Sequence, residues 1–230
     1  MEVRPEVTVI LPCRNEETTV GACIDEAREV LKCMGRNGEI LVVDNASVDA
    51  SAKIAKSHGA RLIREPAPGY GNALRAGIAA ANGDFLLIAD SDTTYDMSDM
   101  AKLYRRLKSG RYDLVIGNRF AGCIEAGAMP VSHIVGGRFL SALARLRFHS
   151  KVRDFHCGLR GLSHRAAERL ELKTEGMEFA TEMIAQAQAG GMRIGQVPVS
   201  LKKSRFPRSS KLRTIRDGFR HLGYIIKGKH

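Results

Sequence analysis

The sequence lacks an apolar run long enough to cross a lipid bilayer. Its most apolar stretches, such as FLLIA at 85–89, are far shorter than the roughly 18 to 20 residues that span a membrane. Its first residues, MEVRPEVTVILPC, lack the basic start, apolar middle and small-residue cleavage site of a signal peptide. We therefore expect a cytoplasmic protein that does not cross a membrane by itself.

The cysteines lack the spacing of a zinc site or of a disulfide framework. There are five of them, an odd number, and no two form a C-x-x-C pair. They are Cys13, Cys23, Cys33, Cys123 and Cys157. We expect all of them to be reduced thiols.

Acidic residues are scarce near the C-terminal end. Residues 202–230 contain ten Lys or Arg against the single acid Asp217, so they carry +9 of the net charge of +11. Such a segment could face nucleic acid, an anionic membrane surface, a phosphorylated substrate or only solvent. Aromatic residues are sparse at 6% and no DNA- or RNA-binding module is recognisable, so we expect no nucleic-acid partner.

The hydrophobic pattern predicts an α/β fold. The chain has 230 residues, 44% of them hydrophobic, and its first half alternates short apolar runs with amphipathic stretches of helical length. This rhythm is typical of crossover units and a largely parallel sheet. The predicted strands are Val7–Leu11, Ile40–Val43, Arg61–Ile63, Phe85–Ile88, Leu114–Ile116 and Gln196–Val199. The predicted helices cover 17–33, 48–58, 71–81, 99–108, 131–147, 175–189 and 211–226. We predict a catalytic domain over 1–200 and a basic loop with an amphipathic helix over 201–230.

Two carboxylates directly follow the fourth predicted strand, in DFLLIADSDTTYD. Open α/β sheets bind their ligands outside the carboxyl ends of their strands. Asp90 and Asp92 are two residues apart and can point into one site, where their hard oxygens suit Mg²⁺ or Mn²⁺. Such a cation also bridges diphosphate oxygens. A single D-x-D also occurs where acids cap the next helix, but we predict a metal site at Asp90 and Asp92, with Ser91 in the same binding segment.

Other predicted strand ends carry polar residues as well. Asn15 and Glu16 follow the first strand, and Asp44 and Asn45 follow the second, where an aspartate can accept a hydrogen bond from a base or ribose. In PAPGYGNALRAG, Gly71 precedes a helix, so backbone amides there could approach a phosphate. Neither G-x-G-x-x-G nor a Walker loop is present, which disfavours dinucleotide-binding and kinase-type functions.

Further candidates lie in the second half of the chain. Arg119 follows the fifth predicted strand in VIGNRF, and RDFHCGLRG supplies Asp154 and Arg160. Arginines beside a phosphate site can stabilise a leaving diphosphate or hold an anionic acceptor, although each could equally be a surface or ion-paired residue. Glu178 and Glu182 are four apart in EGMEFATEM, on one helix face that could order a site loop or be exposed.

Together these segments resemble the inverting family 2 glycosyltransferases and, among them, the dolichyl- or polyprenyl-phosphate sugar transferases. The matching stretches follow the family order across nearly the whole chain: VILPCRNEE, VVDNASVDAS, GYGNALRAGI, ADSDTTYD, VIGNRF, GAMP, DFHCGLRG, EFATEM, VPVSL and RDGFRHL. The resemblance implies a glycosyltransferase-A fold, which is a Rossmann-like, mostly parallel central sheet flanked by helices. It also implies a nucleotide-sugar donor and a divalent cation.

The resemblance assigns roles to individual residues. Four positions match nucleoside-binding residues of the family, namely Pro12, Asn15, Glu16 and Asp44. Asp90 and Asp92 match the metal and diphosphate positions, and Arg119 matches the arginine of a G-S-R-like segment. Arg205 and Lys211 lie in the stretch that closes over the phosphates.

The chain also departs from the family pattern. Asn45 replaces the usual second aspartate, Arg75 stands where small or polar residues are common, and Thr93 replaces the glutamine of the mannosyl transferases. The donor could therefore be GDP-mannose, UDP-glucose or a UDP-N-acetylhexosamine.

We expect a single displacement with inversion at the anomeric carbon, in which the cation and Arg or Lys groups stabilise the leaving diphosphate. A polyprenyl-phosphate acceptor would need no strong base. An alcohol acceptor would need one, and Asp154 and Glu178 are the candidates. The basic C-terminal helix could lie on the cytoplasmic face of the membrane, or a separate membrane subunit could recruit the chain.

Other functions remain open at this point. A soluble transferase of a specialised pathway could act on a small hydroxylated or nucleoside acceptor. A sugar-1-phosphate nucleotidyltransferase is disfavoured, because no G-x-G-T-R-type loop follows the first strand. A non-enzymatic nucleic-acid binder is disfavoured for the reasons given above.

Overall fold

A computed structural model of the chain describes residues 4–204, 206 and 214–228. The strands are β1 (Val7–Cys13), β2 (Gly38–Asp44), β3 (Arg61–Arg64), β4 (Phe85–Ile88), β5 (Leu114–Asn118), β6 (Arg160–Ser163) and β7 (Ile194–Pro198). The helices are α1 (Val20–Cys33), α2 (Ser51–Ser57), α3 (Tyr70–Ala80), α4 (Met100–Lys108), α5 (Val131–Phe148), α6 (His164–Glu168), α7 (Phe179–Ala189) and α8 (Thr214–Lys227).

The strands form one mostly parallel sheet in the order β3-β2-β1-β4-β6-β5-β7. All neighbouring pairs are parallel except those of β6, which runs antiparallel to both β4 and β5. The sequence prediction missed β6 and the short helix α6. The segment RGLS is only four residues long and contains an arginine and a glycine, so no periodicity marks it as a central strand.

The parallel register brings several strand ends to one edge of the sheet. Cys13 at the end of β1 pairs with Asp44 at the end of β2. On the other side of β1, Ile10 pairs with Ile88 at the end of β4, two residues before Asp90. The polar residues that follow β1, β2 and β4 therefore share this edge, as the positions of the strands in the sequence predicted.

Helices pack against the sheet through apolar residues at helical spacing. The buried side chains of α1 include Val20, Cys23, Ile24, Ala27 and Leu31, which follow the spacing of one helix face. The central strands are apolar runs with little or no exposure, as expected for parallel strands covered by helices. This core holds the strand ends in place.

The C-terminal helix α8 packs against α5 and α7. The rings of Phe148 in α5 and Tyr224 in α8 are 6.3 Å apart. Thr181 Oγ1 in α7 lies 3.0 Å from His221 Nδ1, and Arg220 forms a 2.6 Å ion pair with Glu178. The helix is therefore docked on the sheet-bearing part of the chain. The domain boundary at 200 and 201 stays a prediction.

Across the part of the chain that the structure describes, every helix is too short or too polar to span a bilayer.

Candidate active site

Asp90 and Asp92 lie in a turn directly after β4. This strand is hydrogen-bonded to β1 on one side and to β6 on the other, so the turn starts from a fixed position. The Tyr70 hydroxyl donates to Asp90 Oδ1 at 3.2 Å. Asp92 Oδ1 accepts hydrogen bonds from the backbone N–H of Thr94, at 3.0 Å, and from its hydroxyl. Partners within the chain therefore orient both carboxylates.

The two carboxylates repel each other in a poorly hydrated place. Burial and the charge of Asp92 raise the pKa of Asp90 to about 7, although the Tyr70 hydrogen bond and the charges of Arg119 and Arg160 act in the opposite direction. Desolvation and a neighbouring like charge both disfavour an ionised carboxyl group. A divalent cation at this turn would offset both effects.

The donor set fits a cation that is completed by other ligands. Within residues 4–204, 206 and 214–228, no group of three or more His, Cys, Asp or Glu side chains could hold a metal ion. Mg²⁺ in proteins is usually held by one or two carboxylates together with water and substrate phosphates. Asp90 and Asp92 therefore suit a cation that binds together with a phosphorylated ligand.

A buried ion pair lies next to the carboxylates. Arg119 donates to Asp154 through Nε at 2.7 Å, through Nη2 at 2.8 Å and through its backbone N–H at 3.1 Å. Asp154 is fully buried and Arg119 is 9% exposed. Burial alone would lower the pKa of Arg119, but Tyr95 and Asp154 raise it well above its ordinary value. The guanidinium therefore stays charged beside Asp90.

Arg160 has a structural role instead of the predicted catalytic one. It is 1% exposed, and its guanidinium donates to the carbonyl oxygens of Cys157, Ala180 and Phe155 at 2.7, 2.7 and 2.6 Å. These bonds tie the loop before β6 to α7. Because the side chain has no open path to a substrate, its influence on the site is through its charge near Asp90.

The predicted nucleoside-binding residues gather at the same edge of the sheet. Asn15 has a positive φ of 52°, and its Oδ1 accepts a hydrogen bond from the Val48 backbone N–H at 2.8 Å. Asp44 Oδ1 accepts from the Ser47 backbone N–H at 3.2 Å, and the Glu16 N–H donates to Ser51 Oγ at 2.7 Å. These bonds join the loops after β1 and β2. Nucleoside contact by these side chains stays a prediction.

Two predicted ligands act as internal supports. Ser91 is 2% exposed, and its hydroxyl donates to the Pro12 carbonyl oxygen at 2.7 Å. Asn45 Nδ2 donates to the carbonyl oxygens of Glu65 and Ala67 at 3.1 and 2.7 Å, while its Oδ1 accepts from the Gly69 N–H at 2.7 Å. Since the polar atoms of both side chains already form hydrogen bonds with main-chain groups, direct ligand contact through them is not supported. The Pro12 carbonyl, by accepting this bond, links β1 to the turn that carries Asp90 and Asp92, which we call the acidic turn.

The prediction that Gly71 opens a phosphate-binding loop is wrong. Its N–H donates to the Glu175 carbonyl oxygen at 2.8 Å and so does not face a ligand. A Cβ placed on Gly71 would overlap the carbonyl oxygen of Thr174. This glycine allows the start of α3 to pack closely against the segment before α7.

Glu178 and Glu182 are buried rather than exposed. Glu182 accepts hydrogen bonds from the backbone N–H groups of Lys173 and Thr174 at 3.0 and 2.9 Å, so it orders the loop before α7. Glu178 Oε1 pairs with Arg220, while its buried Oε2 has no hydrogen-bond partner among the described residues. Burial would raise the pKa of Glu178, but the Arg220 hydrogen bond lowers it below its ordinary value. Glu178 is therefore a weak general base.

A shallow, open depression of about 400 Å³ adjoins Glu178. It is lined by Thr174, Glu178, Arg220, Gly223, Tyr224, Lys227 and Gly228. Two cations and one carboxylate give it a polar wall between the loop before α7 and helix α8.

Arg205 and Lys211, which were predicted to close over the phosphates, lie outside the described residues.

Sequence reasoning missed three residues that shape the acidic turn. Tyr70 hydrogen-bonds to Asp90, and Tyr95 Oη accepts a 2.7 Å hydrogen bond from the Gly158 N–H. A Cβ on Gly158 would overlap the Asp90 carboxylate. The glycine in HCGLRG, between residues already suspected of chemistry, was the available signal for this close approach.

A family model described as "Glycosyl transferase family 2" matches residues 8–171. This chain belongs to glycosyl transferase family 2. The resemblance inferred from the motifs is thereby confirmed, and the protein is a glycosyltransferase.

Two family relatives come from Haloferax volcanii. A low-salt glycan biosynthesis hexosyltransferase is 33% identical over 98% of this chain and 54% of its own length. The chain thus spans about half of that relative. A dolichyl-phosphate hexose transferase is 27% identical over 86% of this chain and 83% of its own length.

Solved structures support the fold. Glucosyl-3-phosphoglycerate synthase from Mycobacterium tuberculosis, in complex with Mn²⁺ and UDP-glucose, aligns with a TM-score of 0.73 and 23% identity. The alignment covers 96% of this chain and 78% of that one. The glycosyltransferase-A fold expected from the sequence is confirmed.

We predict that Gly71→Ala destabilises the protein, because the new methyl group must displace backbone at Thr174 and Glu175. Such overpacking costs about 1 to 3 kcal/mol, measured as a loss in the free energy of urea unfolding. Gly136→Ala in α5 is the matched control, since nothing lies within 4 Å of its Cβ position. It should keep or slightly increase stability. A Gly71→Ala protein as stable as the control would contradict the packing role.

We predict that Asp154→Asn also destabilises the protein, because it leaves the buried Arg119 charge without its partner. Breaking a buried pair in this way costs about 3 to 5 kcal/mol, again measured by urea unfolding. The control is Asp25→Asn, which alters only exposed contacts, with Arg28 and His58, and should cost less than about 1 kcal/mol. Equal losses for the two variants would show that the buried pair does not organise the site.

Proposed function

We propose that this glycosyltransferase moves a hexose, with inversion, from a GDP- or UDP-linked donor to a polyprenyl or dolichyl phosphate. A Mg²⁺ or Mn²⁺ ion held by Asp90 and Asp92 would assist the reaction. The observation that carries the proposal is the placing of these carboxylates at the sheet edge where the loops after β1 and β2 also meet. The Mn²⁺ complex of the mycobacterial synthase, which has the same fold, supports a divalent cation.

The residues around the acidic turn would prepare the donor site. Tyr70 orients Asp90, and the Thr94 hydrogen bonds orient Asp92. When held by Asp90 and Asp92, the cation would neutralise the negative charge that builds up on the leaving diphosphate. Arg119, which stays charged beside Asp154, would add a fixed positive charge on the same side. Asp92 and Arg119 are thus our candidates for the chemical step.

The donor nucleoside would lie over the ends of β1 and β2. Pro12, Asn15, Glu16 and Asp44 are placed there, and a carboxylate such as Asp44 can accept a hydrogen bond from a ribose or base. UDP-glucose, GDP-mannose and a UDP-N-acetylhexosamine all stay open as donors. Arg205 and Lys211 are proposed to contact the phosphates from the C-terminal segment.

The state of the candidate bases favours a phosphate acceptor. Both Asp154 oxygens accept hydrogen bonds within the chain, and Asp154 is fully buried. Glu178 is paired with Arg220, which lowers its pKa. An alcohol acceptor must lose a proton to a base, whereas a lipid phosphate is already ionised at neutral pH. A polyprenyl-phosphate acceptor therefore does not require Asp154 or Glu178 to remove a proton.

We place the reaction at the cytoplasmic face of a membrane. The chain would contact the bilayer peripherally through its basic C-terminal segment, or a separate membrane subunit would recruit it. The dolichyl-phosphate hexose transferase from Haloferax volcanii is a relative whose name fits a lipid-phosphate acceptor.

The second candidate is a transferase that acts on a small acceptor. The open depression beside Glu178 could receive a small polar molecule, whose acidic group Lys227 and the Glu178-paired Arg220 would attract. The mycobacterial synthase is named for a phosphoglycerate product. Its likeness to this chain supports the fold alone, so this function ranks second.

We predict that Asp92→Asn lowers transfer to polyprenyl phosphate about a hundredfold or more, since a cation contributes several kcal/mol to such a reaction. The measurement is radiolabelled sugar transfer in detergent with Mn²⁺ and each candidate donor, alongside small hydroxylated acceptors. Asp84→Asn, at an exposed ion pair with Arg4, is the matched control and should keep full activity. Normal turnover by Asp92→Asn would remove the central assignment. Release of pyrophosphate instead of a nucleoside diphosphate would indicate a nucleotidyltransferase.

A further inference from the structure

Helix α5 presents an apolar stripe to the outside of the molecule. Val131, Val135, Phe139 and Leu146 are 74%, 62%, 61% and 76% exposed. At 100° per residue these four positions fall within an arc of about 80° on the helix. The buried residues of α5 lie on its opposite side and are Ser141, Ala144 and Phe148. The helix therefore shows large apolar side chains outward and packs inward partly through small ones.

The exposed apolar residues of the described structure are concentrated here. Eight large hydrophobic residues are exposed in that part of the chain, and six of them lie on α5 and α8. The two on α8 are Phe219 and Ile226, at 68% and 64% exposure, and their spacing of seven residues places them on one side of the helix. Scattered exposed apolar residues need no explanation, but a concentration on two neighbouring helices indicates an interaction surface. We call these six residues the outer surface.

Positive charge accompanies the outer surface. Helix α5 contains no Asp or Glu, and Arg138, Arg145 and Arg147 are exposed on it. On α8, Arg216 and Lys227 are exposed as well. Apolar side chains flanked by Arg and Lys on one helix are typical of segments that lie in the interface of an anionic membrane.

The outer surface adjoins the candidate active site through Phe120. The Arg138 guanidinium lies 5.0 Å from the centre of the Phe120 ring, and that of Arg119 lies 5.7 Å from it. A Cβ on Gly137 would also be in ordinary contact with this ring, at 3.6 Å. The first half of α5 is thus separated from the arginine at the end of β5 by one aromatic side chain.

We propose that the outer surface docks on an anionic lipid bilayer, with the apolar side chains of α5 and α8 in the interfacial layer and the arginines against lipid phosphates. The proposal rests on the proposed function and deepens it, because a lipid-borne acceptor phosphate would arrive beside Arg138 and close to Arg119. A second copy of the chain is the less favourable occupant. An isologous contact would bring the acid-free, arginine-bearing helix α5 against its own copy.

The test is co-sedimentation of the full chain with phosphatidylcholine vesicles, with and without phosphatidylglycerol. Wild type should bind the phosphatidylglycerol vesicles, and the binding should weaken as salt rises. Arg138→Glu and Phe139→Asp should each weaken vesicle binding by about tenfold. Since both variants keep the basic residues 202–213, such losses assign the binding to α5.

Two exposed positions outside α5 and α8 provide matched controls. Val48→Asp changes a 91% exposed valine in the loop after β2, and Lys53→Glu reverses an exposed charge on α2. Both should bind vesicles like wild type. All variants should keep the wild-type melting temperature, because the substituted side chains are exposed.

Several outcomes would overturn the proposal. These are no binding of wild type to anionic vesicles, equal binding by all variants, or a dimer in solution that Phe139→Asp dissociates without any vesicle binding. Sugar transfer in detergent separates this inference from the proposed function. Transfer without vesicle binding would remove only the docking surface, and vesicle binding without transfer to polyprenyl phosphate would remove only the proposed acceptor.

Discussion

The site depends on holding two like charges together at the end of a strand that cannot shift. β4 is bonded to β1 and β6, so Asp90 and Asp92 emerge at a fixed point of the sheet edge. Their repulsion is tolerated because Arg119 and Arg160 lie behind them and because Tyr70 and Thr94 donate hydrogen bonds to them. An arrangement of this kind is prepared for a cation before any ligand arrives, and this preorganisation is what electrostatic catalysis requires.

Some residues that the sequence predicted as ligands instead hold the loops around this turn in place. Ser91, Asn45 and Arg160 are buried, and their polar groups satisfy main-chain groups where the loops leave the sheet. Buried polar groups nearly always find such partners. A polar side chain next to a strand end can therefore either contact a ligand or hold the site loop in place. The sequence pattern is the same in both cases.

The predictable part of the fold was the part determined by local pattern. The strands β1, β2, β4 and β5 are apolar runs between turn residues, and the acidic turn follows directly from where β4 ends. β6 could not be predicted, since its place between β4 and β5 depends on pairing with residues far away in the chain. The helix over 131–147 was predicted, but its outward side was not. Apolar residues occur all round α5, and packing around Ser141 and Ala144 decides which side is buried.

The location of α5 and α8 would bring the proposed acceptor close to the proposed donor site. The donor would sit over the ends of β1, β2 and β4, while the acceptor lipid would approach along α5, with Phe120 and Arg119 between them. Helix α8 packs on α5 and α7, and this packing holds the outer surface next to the sheet that carries the candidate site. A transferase that meets a water-soluble donor and a lipid acceptor needs two such surfaces side by side.

The most direct test of the central claim is isothermal titration calorimetry of UDP and GDP with the full chain, in Mn²⁺ and in EDTA. If Asp90 and Asp92 hold a cation against the diphosphate, Mn²⁺ should tighten binding of the preferred nucleotide by about tenfold or more, and Asp90→Asn should lose that gain. Equal affinity in Mn²⁺ and in EDTA would contradict the account.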